Sequence, residues 1–464
     1  MKRIAATAII LAILTEAPLL AATPEEQAYA RRLMEKAVSF KSTAQHGETP
    51  QMAAWLAGEF RAAGFQQGDI EIVPAGKSVG LIVRYRGDGS SGKAPILFLG
   101  HMDAVEAERA DWDHDPFVLT EKDGVFYGRG LVDNKYGVID LTQTFVRLKK
   151  EGFVPTRDLV IAFSGDEETG METTRALAQK LKDAEFALNS DAGGGFDAPA
   201  GKTPVFYIQA AEKTYASFEL TVKNSGGHSS QPRADNAIYD LAAALRNIEN
   251  YRFPAMWNDI TLRAFEIEAA GSDEETADAL RRFVEKPGDK KAVKKLSGIT
   301  HINATIRTTC VATMLKAGHA ENALPQSATA TVNCRIFPSV AVDAVKSELA
   351  TIVANPAIEI TTLKEPLESP ASVLTPEIEA AALGAVRKRH PDAVAVPYME
   401  AGGTDGLHFR RAGVPTFAMG ALFLREEDSP NYHGKNENLR TEAFYAGLDH
   451  WTDIIKALAS PPQQ

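Results

Sequence analysis

The sequence is poor in cysteine: its 464 residues include only Cys310 and Cys334. Two thiols so far apart match no thiolate zinc pattern and build no disulfide framework. They lie in strand-like runs, 308–314 and 328–336, that could pair. An oxidising compartment would permit a bridge between them, and two buried thiols are the alternative. Excess positive charge is also lacking. The formal net charge is −11, which argues against nucleic acid as a partner, because phosphate binding wants a basic face. No internal repeat and no low-complexity segment is present, so neither a repeat array nor a biased tail enters the reading. Beyond the first residues no stretch is long and apolar enough to span a bilayer.

What is present begins with a basic start at Lys2 and Arg3, an apolar run over 4–14, and small residues over 18–22. This pattern predicts a signal peptide over 1–22. Glu16 interrupts the run, which falls short of the roughly 20 apolar residues of a membrane span. The mature protein is expected to be soluble, periplasmic or secreted, with no membrane partner once the signal is removed.

At roughly 150 residues per domain, the length suggests two or three domains. Helical periodicity covers 25–40, 49–63, 134–150 and 171–182. Strand-like runs fall at 70–73, 80–85, 95–99 and 159–163. Such alternation predicts an α/β fold, a sheet covered by helices. Near Tyr215 the pattern changes. A half-exposed strand over 216–222 precedes a helix over 236–249, an irregular charged region to about Lys295, and strands over 305–314 and 328–336. This reads as an inserted α+β domain. After Pro338 the first pattern resumes, with helices at 340–354, 376–389 and 441–459 and a strand at 414–419. The expected plan is one domain from 23–213 and 338–464, split by an insert at 214–337.

Five short motifs hold an unusual share of the acidic residues and histidines, and four directly follow strand-like runs. They contain His101 and Asp103; Asp133; Asp166, Glu167 and Glu168; Asp191 before three glycines; and His433. In open α/β sheets, ligands bind beyond the carboxyl ends of the strands. Imidazole and carboxylate suit zinc. His101 and Asp103 are two apart, so in an extended segment they share a side, and the carboxylate can brace the ring. Glu167 and Glu168 are adjacent and point apart. Singly, each motif is an ordinary polar loop. Their joint occurrence, in order and at strand ends, carries the reading.

The set resembles the M20 metallopeptidases, which include carboxypeptidases, dipeptidases, desuccinylases and aminoacylases. Two segments of the insert match as well, 225–232 around His228 and 321–325 around Asn322. The resemblance implies a zinc-peptidase-type mixed sheet, with the insert as a lid and dimerisation domain. It implies two divalent metal ions, zinc first, with cobalt or manganese as alternatives. His101 and Asp191 would hold one metal, Glu168 and His433 the other, and Asp133 would bridge them. Asp103 would orient His101, and Glu167 would be the general base. His228 would stabilise the oxyanion, often from the other subunit. Asn322 and Arg335 would hold the substrate carboxylate, with Gly403 nearby.

The implied activity is hydrolysis of an amide bond next to a free carboxylate in a small peptide or an N-acyl amino acid, carried out by a homodimer. The run 308–316 with 323–338 looks most like carboxypeptidase S and the secreted N-acyl-amino-acid hydrolases. A co-catalytic zinc aminopeptidase is one alternative, and Asn322 and Arg335 speak against it. A non-catalytic binding protein on the same fold is another, and the complete ligand set speaks against that.

Overall fold

The structure is a computed structural model that describes residues 22–197 and 203–461. The predicted signal peptide lies, but for Ala22, outside the described residues. Among these, no helix is long and apolar enough to cross a membrane.

A ten-stranded mixed sheet forms the centre. Its middle strands are Leu159–Ser164, Ile96–His101, Phe186–Asn189 and Thr416–Ala418, in that spatial order and mutually parallel. Both Ile96–His101 and Leu159–Ser164 are buried along their whole length. Near-continuous apolar sequence therefore suits them, since both faces are covered. Alternate residues serve the two faces. Phe98 packs among Leu56, Phe60, Phe145 and Trp451, while Leu97 and Leu99 pack among Val160, Leu177 and Phe409 on the other face. The helix Pro24–Ser39 starts on a capping box between Thr23 and Glu26, with proline in its first turn.

A second sheet of four antiparallel strands runs Thr309–Ala317, Ser327–Ile336, Thr214–Lys223, Ile358–Thr362. The helices Ala237–Asn250 and Val342–Val353 share a core with it around Phe218, Leu241, Val332 and Leu349. Cys310 and Cys334 are opposite one another on neighbouring strands, with Cα atoms 4.1 Å apart, and form a disulfide.

Three expectations need correction. The second sheet does not end at 337: the strand Ile358–Thr362 completes it, and Val342–Val353 packs with it rather than with the first sheet. The region before Lys295 is not irregular. It holds the helices Asp259–Gly271, Glu274–Glu285 and Lys290–Leu296, whose buried Phe265, Leu280 and Phe283 pack with Val396 of the first sheet. The helix expected over 441–459 is two, Thr441–Ala446 and His450–Ala459. The break falls at Gly447, where any side chain would overlap the Tyr136 hydroxyl.

Candidate metal centre

The parallel strands end side by side at one edge, and the acidic motifs follow there. His101 is the last residue of its strand, Asp166–Glu168 follow Ser164 after one glycine, and Asp191 lies two residues past Asn189. Asp133 comes from the loop before the helix Tyr136–Lys150, after the left-handed Gly130. His433 comes from the loop before the strand Asn438–Arg440.

These residues converge. His101 Nε2 lies 2.9 Å from Asp133 Oδ1 and 3.3 Å from Asp191 Oδ1. His433 Nε2 lies 2.9 Å from Asp133 Oδ2 and 3.1 Å from Glu168 Oε1. Asp133 thus offers one oxygen to each imidazole. Such spacings are close to those of neighbouring ligands on one ion with bonds of about 2 Å. Ligand atoms of His101, Asp133 and Glu168 also fall within 4.8 Å of one another. Glu168 Oε1 is buried, and among the described residues the His433 ring is its polar neighbour, at 3.1 Å. The donor set therefore fits a pair of divalent cations, one between His101 and Asp191 and one between His433 and Glu168. The His101 side chain is 1% exposed and the His433 side chain 54%, so the second position is the one open to solvent.

The electrostatics suit cations too. Burial, with neighbouring carboxylates adding to it against the pull of His101, raises Asp191 to about 7 and Asp405 to about 6. Burial also holds Glu167 well above the usual carboxylate range, with Asp191, Asp405 and Glu168 adding to it against the pull of His101. Burial opposes charge on His101, yet Asp191, Asp103 and Asp133 lift its pKa well above the ordinary value. Hydrogen bonds to Asp133 and Glu168 carry His433 up to about 10.

Asp103 does more than the sequence suggested, and differently. His101 Nδ1 is 3.1 Å from the Asp103 backbone oxygen and 3.5 Å from its carboxylate. The carboxylate instead accepts the backbone N–H groups of Glu167 and Glu168 at 3.1 and 3.0 Å. It fixes the turn that carries both glutamates.

The substrate-side residues stand apart. His228 is exposed, in a two-stranded ladder with Ala323, and Ser229 N–H donates to the Asn322 backbone oxygen at 3.1 Å. The His228 Nδ1 accepts from Ser230 N–H at 3.2 Å. Arg335 lies elsewhere, over the Tyr215 ring at 4.7 Å, with Nη1 donating to Ala401 O at 3.0 Å. Gly403 is exposed and a Cβ there would meet open space. None of the four makes a hydrogen bond or ion pair to the acidic cluster among the described residues.

Several supports went unread in the sequence. The fully buried Glu437 accepts backbone N–H from Gly130 and Val132 at 2.8 Å and from Asp133 at 3.2 Å, and pairs with Arg129 at 2.8 Å. Arg129 also donates to Gly434 O at 2.6 Å. The pair ties the Asp133 loop to the His433 loop. Asp405 accepts from Ser164 Oγ at 2.6 Å and from Thr174 Oγ1 at 2.5 Å, bracing the segment that leads to Glu167. Both Arg129 and Glu437 fall inside motifs, but nothing in their spacing pairs them.

Residues 97–457 match the model of peptidase family M20/M25/M40. The N-fatty-acyl-amino acid synthase/hydrolase PM20D1 of Xenopus tropicalis is 28% identical over 375 residues, covering 78% of this chain and 72% of its own. The M20 family metallo-carboxypeptidase Sso-CP2 of Sulfolobus solfataricus superposes with a TM-score of 0.67 at 18% identity, over 92% of this chain and 99% of its own. The YXEP protein of Bacillus subtilis, described as a dinuclear metal binding peptidase from the M20 family, has a TM-score of 0.58 at 14% identity, over 92% and 98%. This chain therefore belongs to peptidase family M20/M25/M40 and is a hydrolase of its metallopeptidase and amidohydrolase class.

Proposed function

We propose that this enzyme is a two-metal amidohydrolase that cuts the amide bond of N-acyl amino acids, beside the free carboxylate. The observation that carries the two-metal reading is Asp133, which turns one oxygen toward His101 and the other toward His433. His101 and Asp191 would hold one divalent cation, Glu168 and His433 a second, with Asp133 between them, and such ions, zinc first, would supply Lewis acidity at the amide carbonyl and the attacking water. Glu167, held by Asp103 on the same turn as Glu168, takes the water's proton and returns it to the leaving nitrogen.

The lid reading rests on the second sheet. Because Nδ1 of His228 accepts from Ser230 N–H, its Nε2 carries the proton and can donate to a developing oxyanion. Arg335 keeps Nη2 free of hydrogen bonds among the described residues, leaving part of its fork for a carboxylate, with Asn322 as partner on closure. The edge strand Thr309–Ala317 exposes Val311, Met314 and Leu315, a surface suited to a second copy in a homodimer.

A cavity of about 1550 Å³ opens beside Asp191 and Tyr432. Its walls include Phe265, Ile267, Leu280, Ile302 and Val396, which favours an apolar acyl arm over a second amino acid. PM20D1, a relative named for N-fatty-acyl amino acids, points the same way.

The test is hydrolysis of N-acyl amino acids with free and with amidated carboxylates, with bound metal counted on the same sample. Free-carboxylate compounds are expected to be cut, amidated ones not, and chelation to stop turnover. Preference for amidated or free-amine substrates would move an aminopeptidase ahead. Glu167→Gln is expected to keep its metal and lose on the order of 10²–10⁴ in kcat; full turnover in that variant removes the base assignment.

A further inference from the structure

The cavity beside the proposed metal centre is largely apolar, and the charged residues described along it are of one sign. Asp191, Asp197, Glu268, Asp273 and Glu400 line it, and among the described lining residues there is no lysine and no arginine. Four of the five carboxylates are already engaged. Asp191 faces His101. Asp197 lies 3.2 Å from His390 Nδ1 and 3.8 Å from Arg425 Nε. Asp273 accepts the Thr276 N–H at the start of its helix. Glu400 accepts the N–H groups of Ala401 and Gly402 and the Tyr398 hydroxyl.

Glu268 is different. It lies on the helix Asp259–Gly271 beside the lining residues Phe265 and Ile267, and its carboxylate makes no hydrogen bond or ion pair with a described residue. Burial pushes its carboxyl up to about 7. Its charge reaches the Tyr207 hydroxyl, on the strand Val205–Glu212 that also lines the cavity. An unpaired carboxylate in an apolar wall is a cost that a bound cation removes. The metal centre described above makes no use of it.

We propose that Glu268 sets acyl specificity: the cavity takes an acyl arm that is apolar along its length and ends in a cationic amine, and it rejects arms that end in a carboxylate. This rests on the N-acyl amino acid reading. A plain hydrocarbon arm fills the apolar walls but leaves Glu268 without a partner. A terminal ammonium reaching Glu268 forms an ion pair away from bulk water. A terminal carboxylate adds like charge to a wall whose described residues include no lysine or arginine.

The experiment uses the metal-loaded enzyme and three matched substrates of one amino acid: N-decanoyl, N-(10-aminodecanoyl) and N-(9-carboxynonanoyl). The expected order of kcat/KM is amine, then methyl, then carboxylate, with about tenfold between the first two. Glu268→Gln is expected to bring the amine-to-methyl ratio close to one, and Glu268→Asp to keep most of it. An equal ratio in wild type and Glu268→Gln overturns the proposal while leaving the amidohydrolase reading intact. If none of the three is cut by wild type, it is the amidohydrolase reading that fails. Calorimetry then still decides on Glu268, with decylamine and decanol as probes. Tighter binding of decylamine to wild type, lost in Glu268→Gln, supports the assignment, and equal affinities in both proteins sink it.

Discussion

Arg129 and Glu437 hold no metal ligand atom in the proposed site, yet they decide where two of its loops meet. Removing one partner of a buried pair strands the other charge, at a cost of roughly 3–5 kcal/mol. Arg129→Met is accordingly expected to lower the thermal midpoint and weaken metal binding, read by calorimetric metal titration. Wild-type affinity in a folded variant would remove the clamp. Asp140 is a separate case, in the fully buried face of Tyr136–Lys150. One of its oxygens has no hydrogen-bond partner among the described residues, and burial lifts its pKa from 3.8 to about 8. The unfolded chain releases this proton near 3.8 and the folded one near 8. Between those values the folded state holds the extra proton, so stability falls as pH rises through the window. Asp140→Asn is expected to be near neutral at pH 4 and to stabilise by several kcal/mol at pH 9, measured by denaturant midpoints. No gain at pH 9 would mean the carboxylate is better paired than its contacts indicate. Most motifs of the proposed metal ligands stood out in sequence because imidazoles and carboxylates cluster after apolar runs, while the role of each ligand, His433 above all, came from the resemblance to the M20 family. Arg129 was not, because its partner lies 308 residues away. Neither was Glu268, which looks like any other acidic residue of a charged helix until its wall is seen.

At the scale of elements, legibility followed periodicity. Helices such as Pro24–Ser39 and Ala237–Asn250, with clear apolar stripes, were read nearly to their ends. The helices between Asp259 and Leu296 were missed because their dense exposed charge hides a narrow buried stripe of Ala277, Leu280 and Phe283. The strand Val394–Glu400 carries a proline and was missed as well. The boundary after 337 failed for another reason: Val342–Val353 is helical in either domain, and only strand pairing shows which sheet it serves. The disulfide closes 24 residues of sequence separation between neighbouring strands. Cys310→Ser with Cys334→Ser is expected to cost about 2–4 kcal/mol, read as a lower midpoint under non-reducing conditions. An unchanged midpoint would show that the second sheet does not limit unfolding.

For the whole molecule, the proposed dimer rests on the exposed edge of the second sheet. Met314→Lys with Leu315→Lys places charge on that edge, which discourages strand addition. Light scattering is expected to give a dimer for the natural chain and a monomer for the double variant. A dimer that survives both lysines would locate the interface elsewhere. The bond between the Asp133 and His433 loops reaches further than the site it holds. His101 belongs to the first quarter of the chain and His433 to its last tenth. A ribosome-bound chain that has not yet reached His433 carries most of the acidic motifs but neither that imidazole nor the clamp. On the proposed site, activity would wait for the last tenth of the chain, and the order of translation would act as a safety catch.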